Sequence, residues 1–173
     1  MYSIVRSLIA SAVLAASLVQ AGEIPPRTGV FKVHTGPIIR GMITSFTTPT
    51  TVLIVPVEME FALMPNLSVH ADAMPGLIET RTASLGLLTL GGGARFYLTG
   101  RAPDGLWLGA GASIALASAE SRSGVGFDLT PEVGYQWIFD NGLTLSAGVG
   151  LSLTALTSKQ FPIVVLAPVG FAW

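Results

Sequence analysis

Between Gly126 and Ala155 the residues alternate regularly enough to dictate the backbone. Phe127, Leu129, Val133, Tyr135, Trp137, Leu143, Leu145, Val149, Leu151 and Leu153 interleave with Asp128, Thr130, Glu132, Gln136, Thr144, Ser146, Ser152 and Thr154. A period of two belongs to a β-strand, whose successive side chains leave opposite faces. Asp140-Asn141-Gly142 interrupts the pattern, and Asn-Gly suits the positive φ angles of a tight hairpin turn. The segment therefore predicts two antiparallel strands, one face aliphatic and aromatic, the other small, hydroxylated or acidic. Strands of this kind fit a wall with lipid outside and a polar lumen inside.

Composition decides between the ways of living in a membrane. Charged residues make up 11% of the chain, against roughly a quarter in a soluble domain. After the first twenty residues, no unbroken apolar run approaches the ~20 residues that a spanning helix needs. A closed barrel is the other structure that satisfies every backbone hydrogen bond inside a bilayer. A net charge of −1 without a basic block leaves no footprint for nucleic acid. The chain has no cysteine, which excludes a disulfide scaffold, a lipoprotein anchor and thiolate zinc sites. No cofactor is expected. A metal site from His34, His70 and Asp72 would need histidines on separate strands to converge, a weak signal.

Residues 1–21 have the layout of a signal peptide. Arg6 supplies the positive start, residues 8–19 an apolar stretch, and Val19-Gln20-Ala21 a cleavage site before Gly22. An uncleaved anchoring helix is the alternative, disfavoured because the stretch is short for a span. The mature chain, 22–173, is then expected to be one exported domain.

Extending the period along that domain predicts eight strands, at 30–42, 51–63, 67–74, 82–98, 106–118, 125–139, 143–155 and 162–173. The expectation is an all-β, eight-stranded antiparallel up-and-down transmembrane barrel. Met64-Pro65-Asn66, 100–105 and Asp140-Asn141-Gly142 are tight connections, which in outer-membrane barrels face the periplasm. The longer ones, 44–50, 75–81, 119–124 and 156–161, then face outward. Pro37, Pro56, Pro131 and Pro168 fall inside predicted strands, where each removes a ladder hydrogen bond, and bulges are expected to absorb them. Gly91-Gly92-Gly93 weakens its strand or marks a kink, and the alanine-rich 109–119 also reads as a short helix.

Parity along these strands sorts the charges. Lys32, Arg40, Glu58, Glu60, Asp72, Arg95, Asp128 and Glu132 all fall on the polar face, together with His34 and His70. None falls on the lipid face, where Arg or Lys at mid-bilayer costs about 2–4 kcal/mol. A barrel of eight strands is just wide enough for side chains to fill. Glu58, Glu60, Asp72, Asp128 and Glu132 are therefore expected to pair with Lys32, Arg40 and Arg95 in a largely plugged lumen. The acids outnumber the bases, so His34 or His70 is protonated or one carboxyl is neutral. Outward-facing Phe31, Phe61, Phe96, Tyr135, Trp137, Phe139, Phe171 and Trp173 gather at the periplasmic strand ends, as an interfacial aromatic girdle would.

The chain ends Val169-Gly170-Phe171-Ala172-Trp173, apolar at alternate positions and aromatic at the carboxy terminus. That ending resembles the terminal signal that outer-membrane barrels present to their assembly machinery. Gly91-Gly92-Gly93-Ala94-Arg95-Phe96-Tyr97-Leu98-Thr99-Gly100-Arg101-Ala102-Pro103, then Gly105-Leu106-Trp107-Leu108-Gly109-Ala110-Gly111 and Pro131-Glu132-Val133-Gly134-Tyr135-Gln136-Trp137, resemble small eight-stranded outer-membrane proteins of the OmpA/OmpX type. The resemblance is clear over 85–173. It implies a fold and a location in the bacterial outer membrane, among barrels of quite different activities.

For function, the residues predict a non-enzymatic, monomeric barrel with a structural or surface-interaction role. Its partners would be outer-membrane lipid and lipopolysaccharide, and the barrel assembly machinery during biogenesis. Arg81, Arg122 and Lys159, one in each of three outward loops, are candidate contacts for lipopolysaccharide phosphates, although Glu79 and Glu120 lie beside two of them. A lipid-modifying enzyme remains an alternative, because His70, Asp72, Ser68 and Ser84 supply a base, an acid and hydroxyl nucleophiles. An exported soluble barrel with its apolar face turned inward on a small ligand is another.

Overall fold

The computed structural model describes residues 27–119, 122–154, 161–165 and 168–173. The expected signal peptide and Lys159 lie outside the described residues. The strands are β1 (Gly29–Val33), β2 (Thr51–Ile54), β3 (Val57–Met64), β4 (Leu67–Glu79), β5 (Ser84–Tyr97) and β6 (Gly105–Ala119). They continue with β7 (Arg122–Ile138), β8 (Leu143–Thr154), β9 (Phe161–Val165) and β10 (Val169–Ala172), and one helix, α1 (Thr35–Thr47), follows β1.

Two of these strands are interrupted. β2 and β3 both pair with β4, through Leu53↔Leu77 and Glu60↔His70, and together make one broken strand. β9 and β10 share β8 in the same way, through Ile163↔Gly150 and Val169↔Leu145. Counted so, the sheet is an antiparallel ring of eight strands in which each pairs with its sequence neighbour. β10 closes it on β1 through Phe171↔Phe31 and Gly170↔Lys32, and the Trp173 amide donates to the Gly29 carbonyl at 3.0 Å. Closure on β1 pairs β3 and β10 on both sides, which removes the open edge there, whereas among the described residues β2 pairs only with β4 and β9 only with β8.

The hairpin turns follow their local chemistry. Gly142 has φ of 88°, a conformation that costs a residue without Cβ nothing, and the Asn141 side chain accepts from the Leu143 amide at 3.0 Å. The alanine-rich 109–119 is strand, because Ala110, Ala112 and Ala115 are registered between β5 and β7.

The largest departure from the expected barrel is the first strand, which stops at Val33 and gives way to α1 instead of running to residue 42. Pro37 sits in the first helical turn, where its missing N–H has no intrahelical acceptor to lose. Beyond it Ile39, Met42, Ile43 and Phe46 recur at helical spacing, a period of 3.6 inside a segment first read at two. All four are exposed, Phe46 by 84%. The opposite face lies on β2. A Cβ on Gly41 would stand 2.9 Å from the Val52 carbonyl oxygen, and the Ser45 hydroxyl accepts from the Val52 amide at 2.8 Å.

The remaining prolines mark breaks in the ladders. Pro56 separates β2 from β3, and Pro168 precedes β10. Pro131 keeps its place opposite Ala110 of β6, whereas the β7–β8 register passes from Leu129↔Leu153 to Glu132↔Gly150 and skips it. The expected bulges are thus mostly interruptions; one register shift occurs, between Ala62 and Met64. The third strand is longer than expected and runs through Pro75 to Glu79, and β7 begins at Arg122 rather than 125.

Candidate functional site

Register places the inward side chains. Lys32 of β1 lies opposite Glu58 of β3, which lies opposite Asp72 of β4; Glu60 faces His70 in the same ladder. Most of the large groups have a small neighbour. His70 is registered with Gly93, Asp72 with Gly91, Arg95 and Glu132 with Gly109, and Lys32 with Gly170. Alternating large and small residues lets eight strands enclose long charged side chains without clash.

These groups meet near the end of the ring that carries the tight turns. Lys32 Nζ is 2.6 Å from both Glu58 Oε1 and Glu60 Oε2, and donates to Gln136 Oε1 at 2.8 Å. The Arg95 guanidinium donates to Glu60 at 3.0 Å and to Glu132 at 3.1 Å, and grips Glu58 through both terminal nitrogens. Its face stacks over Trp107, 4.6 Å from the ring centroid, a cation–π contact in a water-poor setting. Glu60 also accepts from the Tyr97 hydroxyl at 2.6 Å and from Ser68. Both its oxygens are thereby satisfied, as a carboxylate with 0% exposure requires.

The network extends to Ser146, which donates to Gln136 Oε1 at 2.8 Å, and to Pro103, whose carbonyl accepts from the Gln136 amide. Through Pro103 it meets the 98–104 turn, folded over the mouth of the ring. There the Ala102 amide donates to the Pro65 carbonyl at 2.7 Å, and Ala102 is fully buried. The arrangement is a plug built from charge pairs, hydrogen bonds and one turn. Chemically it can exclude water and hold the wall in register.

On the other side of the plug lies a cavity of about 210 Å³. It reaches from Arg95 and Glu132 to His34 and to Pro37 at the foot of α1, and passes His70, Asp72, Thr89, Ser113 and Thr130. His34 Nε2 is 3.0 Å from Glu58 Oε2 and links the cavity wall to the plug.

Of the ten expected members, the structure joins Lys32, His34, Glu58, Glu60, Arg95 and Glu132, whereas Arg40, His70, Asp72 and Asp128 stay outside the network. Arg40 stands on the exposed side of α1 and takes no part, because the chain turns helical before reaching it. Lys32 and Arg95 are the network's lysine and arginine. Asp128 lies apart from the plug and accepts from Thr130 and Ser152. Tyr97, Trp107, Ser68, Gln136 and Ser146 were not expected as members. Parity alone could have placed Tyr97 beside Arg95 and Gln136 beside Glu132, but nothing in the spacing shows that their polar ends converge on one carboxylate and one lysine.

Seven of the eight aromatic residues of the expected girdle are exposed, and all eight lie around the turn end. Phe31 pairs directly with Phe171, Phe61 meets Trp173 edge-on at 6.4 Å, and Tyr135 lies 4.6 Å from Trp137. Phe139 is exposed and Phe96 half-buried beside Leu67 and Leu108. Of the three loop cations, Arg81 is exposed in the β4–β5 connection. Arg122 opens β7 opposite Ala119 and so begins a strand instead of sitting in a loop. Of the expected nucleophile set, Ser68 is committed to Glu60, and His70 makes no hydrogen bond to Asp72 among the described residues.

No protein-family model matches the chain, and no curated protein matches it at a significant level.

Proposed function

We propose that this chain is an integral barrel of a bacterial outer membrane, exported by residues 1–21 and sealed against conduction by its charge network. The observation that carries the reading is the inverted sorting of side chains. Lys32 is 1% exposed, Glu58 2% and Arg95 4%, while Phe127, Leu129, Trp137, Val149 and Leu151 stand exposed on the outside. In water this is the wrong way round, since contiguous apolar surface beyond a few hundred Å² drives association. In hydrocarbon it is the arrangement of lowest cost.

Several features support the same reading. The outward aromatic side chains sit around the turn end, where a lipid interface would hold them and where the periplasm would lie. The exposed apolar stripe of α1 continues the apolar outer face of the neighbouring Leu53 and would lie against the outer leaflet. Lipid and lipopolysaccharide would be the surroundings of a monomer, and the strand ending in Trp173 the segment offered to the barrel assembly machinery. A soluble carrier of an apolar ligand would need its apolar face inside, where Lys32, Glu60 and Arg95 stand.

The test is gel mobility of the membrane fraction with and without boiling in detergent, together with extraction in alkaline carbonate. A closed barrel stays folded in cold detergent and shifts on boiling, and remains in the carbonate pellet. Release into carbonate without a mobility shift would overturn the proposal.

A further inference from the structure

Glu58, Glu60, Asp72 and Glu132 are tied to the lumen side of the wall, and Lys32 and Arg95 are the permanent cations among them. Both cations are consumed by Glu58, Glu60 and Glu132. Asp72 is left with no hydrogen bond or ion pair among the described residues, yet its carboxylate lines the cavity. The two cationic side chains of the cavity wall are paired elsewhere, His34 and Arg95 both with Glu58, and Thr89, Ser113 and Thr130 carry no charge.

A second group points into the same space without a partner. His70, two residues before Asp72 on the same face of β4, is 9% exposed; its Nδ1 is sealed from solvent without a hydrogen bond, so Nε2, which also makes none among the described residues, is the nitrogen left to face the cavity. The room these side chains occupy is made by glycine. A Cβ on Gly91 would stand 2.6 Å from Asp72 Oδ2, and one on Gly93 2.7 Å from His70 Cε1. Substitution at either would fill the seat of the unpartnered groups.

We infer that this cavity is a binding site for a small primary amine in its ammonium form. An ammonium brings the charge that Asp72 lacks and three donors, for which the carboxylate, an imidazole nitrogen and the Thr89 or Ser113 hydroxyl are acceptors. The walls contributed by Pro37, Pro56, Val57 and Met74 are apolar and suit a short hydrocarbon body. The volume, about 210 Å³, is far above that of one water or a bare ion and below that of a drug-sized pocket. The inference rests on the closed ring and its lumen, and not on the membrane around them.

The full mature chain, labelled with ¹⁵N-histidine and folded in detergent, is titrated with n-butylammonium chloride while the imidazole resonances are recorded. Sodium chloride and n-butanol serve as controls for ionic strength and for the alkyl tail. The expected result is a saturable His70 shift for butylammonium alone, at least about tenfold weaker in Asp72→Asn. Equal responses to butanol, no saturation, or unchanged binding in a folded Asp72→Asn would overturn it. If Asp72→Asn does not fold, the wild-type comparison of butylammonium with butanol decides by itself. Boiling-dependent mobility of the same sample separates the two proposals: its absence speaks against the membrane barrel, and an unresponsive His70 in a shifting sample against the amine site.

Discussion

Lys32 Nζ lies 2.8 Å from Gln136 Oε1, so a side chain of β1 is held by one of β7 across the lumen and not along the sheet. Backbone ladders join only adjacent strands and leave the cross-section of a ring free to flatten. Polar contacts between strands that are not neighbours hold that section, and Arg95 adds two more, from β5 to Glu58 of β3 and to Glu132 of β7.

Arg95 is the member whose loss leaves most behind. Arg95→Met removes the partner of three carboxylates at once, and breaking buried pairs of this kind costs about 3–5 kcal/mol. The expected outcome is a large fall in the urea midpoint of the detergent-folded protein, partly recovered by adding Glu58→Gln and Glu132→Gln. An unchanged midpoint would mean that the plug does not hold the ring.

The glycines beside the charged groups make a steric prediction. A Cβ on Gly93 would stand 2.7 Å from Gly111 Cα and would also press on the Ala110 carbonyl. Gly93→Ala should therefore cost about 1–3 kcal/mol, as overpacking does. Gly124 has nothing within 4 Å of the corresponding position, so Gly124→Ala should stay within about 0.5 kcal/mol. Equal midpoints for the two variants would contradict the register.

Asp104, in the turn before β6, gives a dependence on pH. Burial pushes its carboxyl above the ordinary value, against smaller opposing effects from the Ile138 and Gly105 amides and from Arg27. The folded state thus holds this proton more tightly than the unfolded state. The associated stability is fully present below the unfolded carboxyl's range near pH ~4 and is lost as pH rises through the folded value. Asp104→Asn keeps an acceptor for the Ile138 amide and removes the titration. Its stability relative to the natural protein should rise between acidic and neutral pH and then level off. A difference that stays flat from acid to neutral would refute the assignment.

Helix α1 should loosen without the ring. Gly41→Leu drives a side chain into the Val52 carbonyl, which lifts the helix from β2 while the strand ladders persist. The expected outcome is retained boiling-dependent mobility with trypsin cleavage at exposed Arg40 at least about fivefold faster, as local opening allows. Loss of the folded band would show that α1 is part of the wall's stability.

Much of the ring was legible because a two-residue period names a face at every position. From Gly126 onward that period placed Asp128, Glu132 and Gln136 inside and Phe127, Tyr135 and Trp137 outside, as found. It failed at Arg40. Over a few residues after Val33 the alternating and helical patterns overlap, and Pro37, a defect in a strand, is at home in the first turn of a helix. The breaks at Pro56 and Pro168 were marked by the residue that causes them, but whether a proline makes a bulge or an interruption depends on which edge its missing N–H faces.

By itself the amino-acid order determined the all-β class, the tight turn at Asn141-Gly142 and, Arg40 apart, the inward set of charges. Each follows from dihedral preference or from side-chain parity, which are properties of neighbours along the chain. Only the tertiary structure decided that Glu60 takes Lys32, Arg95, Tyr97 and Ser68, that Arg40 stands outside, and that Asp72 and His70 are left facing a cavity. Those outcomes depend on the stagger with which the ring closes. Closure sets which inward side chains arrive at the same height, and no local pattern encodes it.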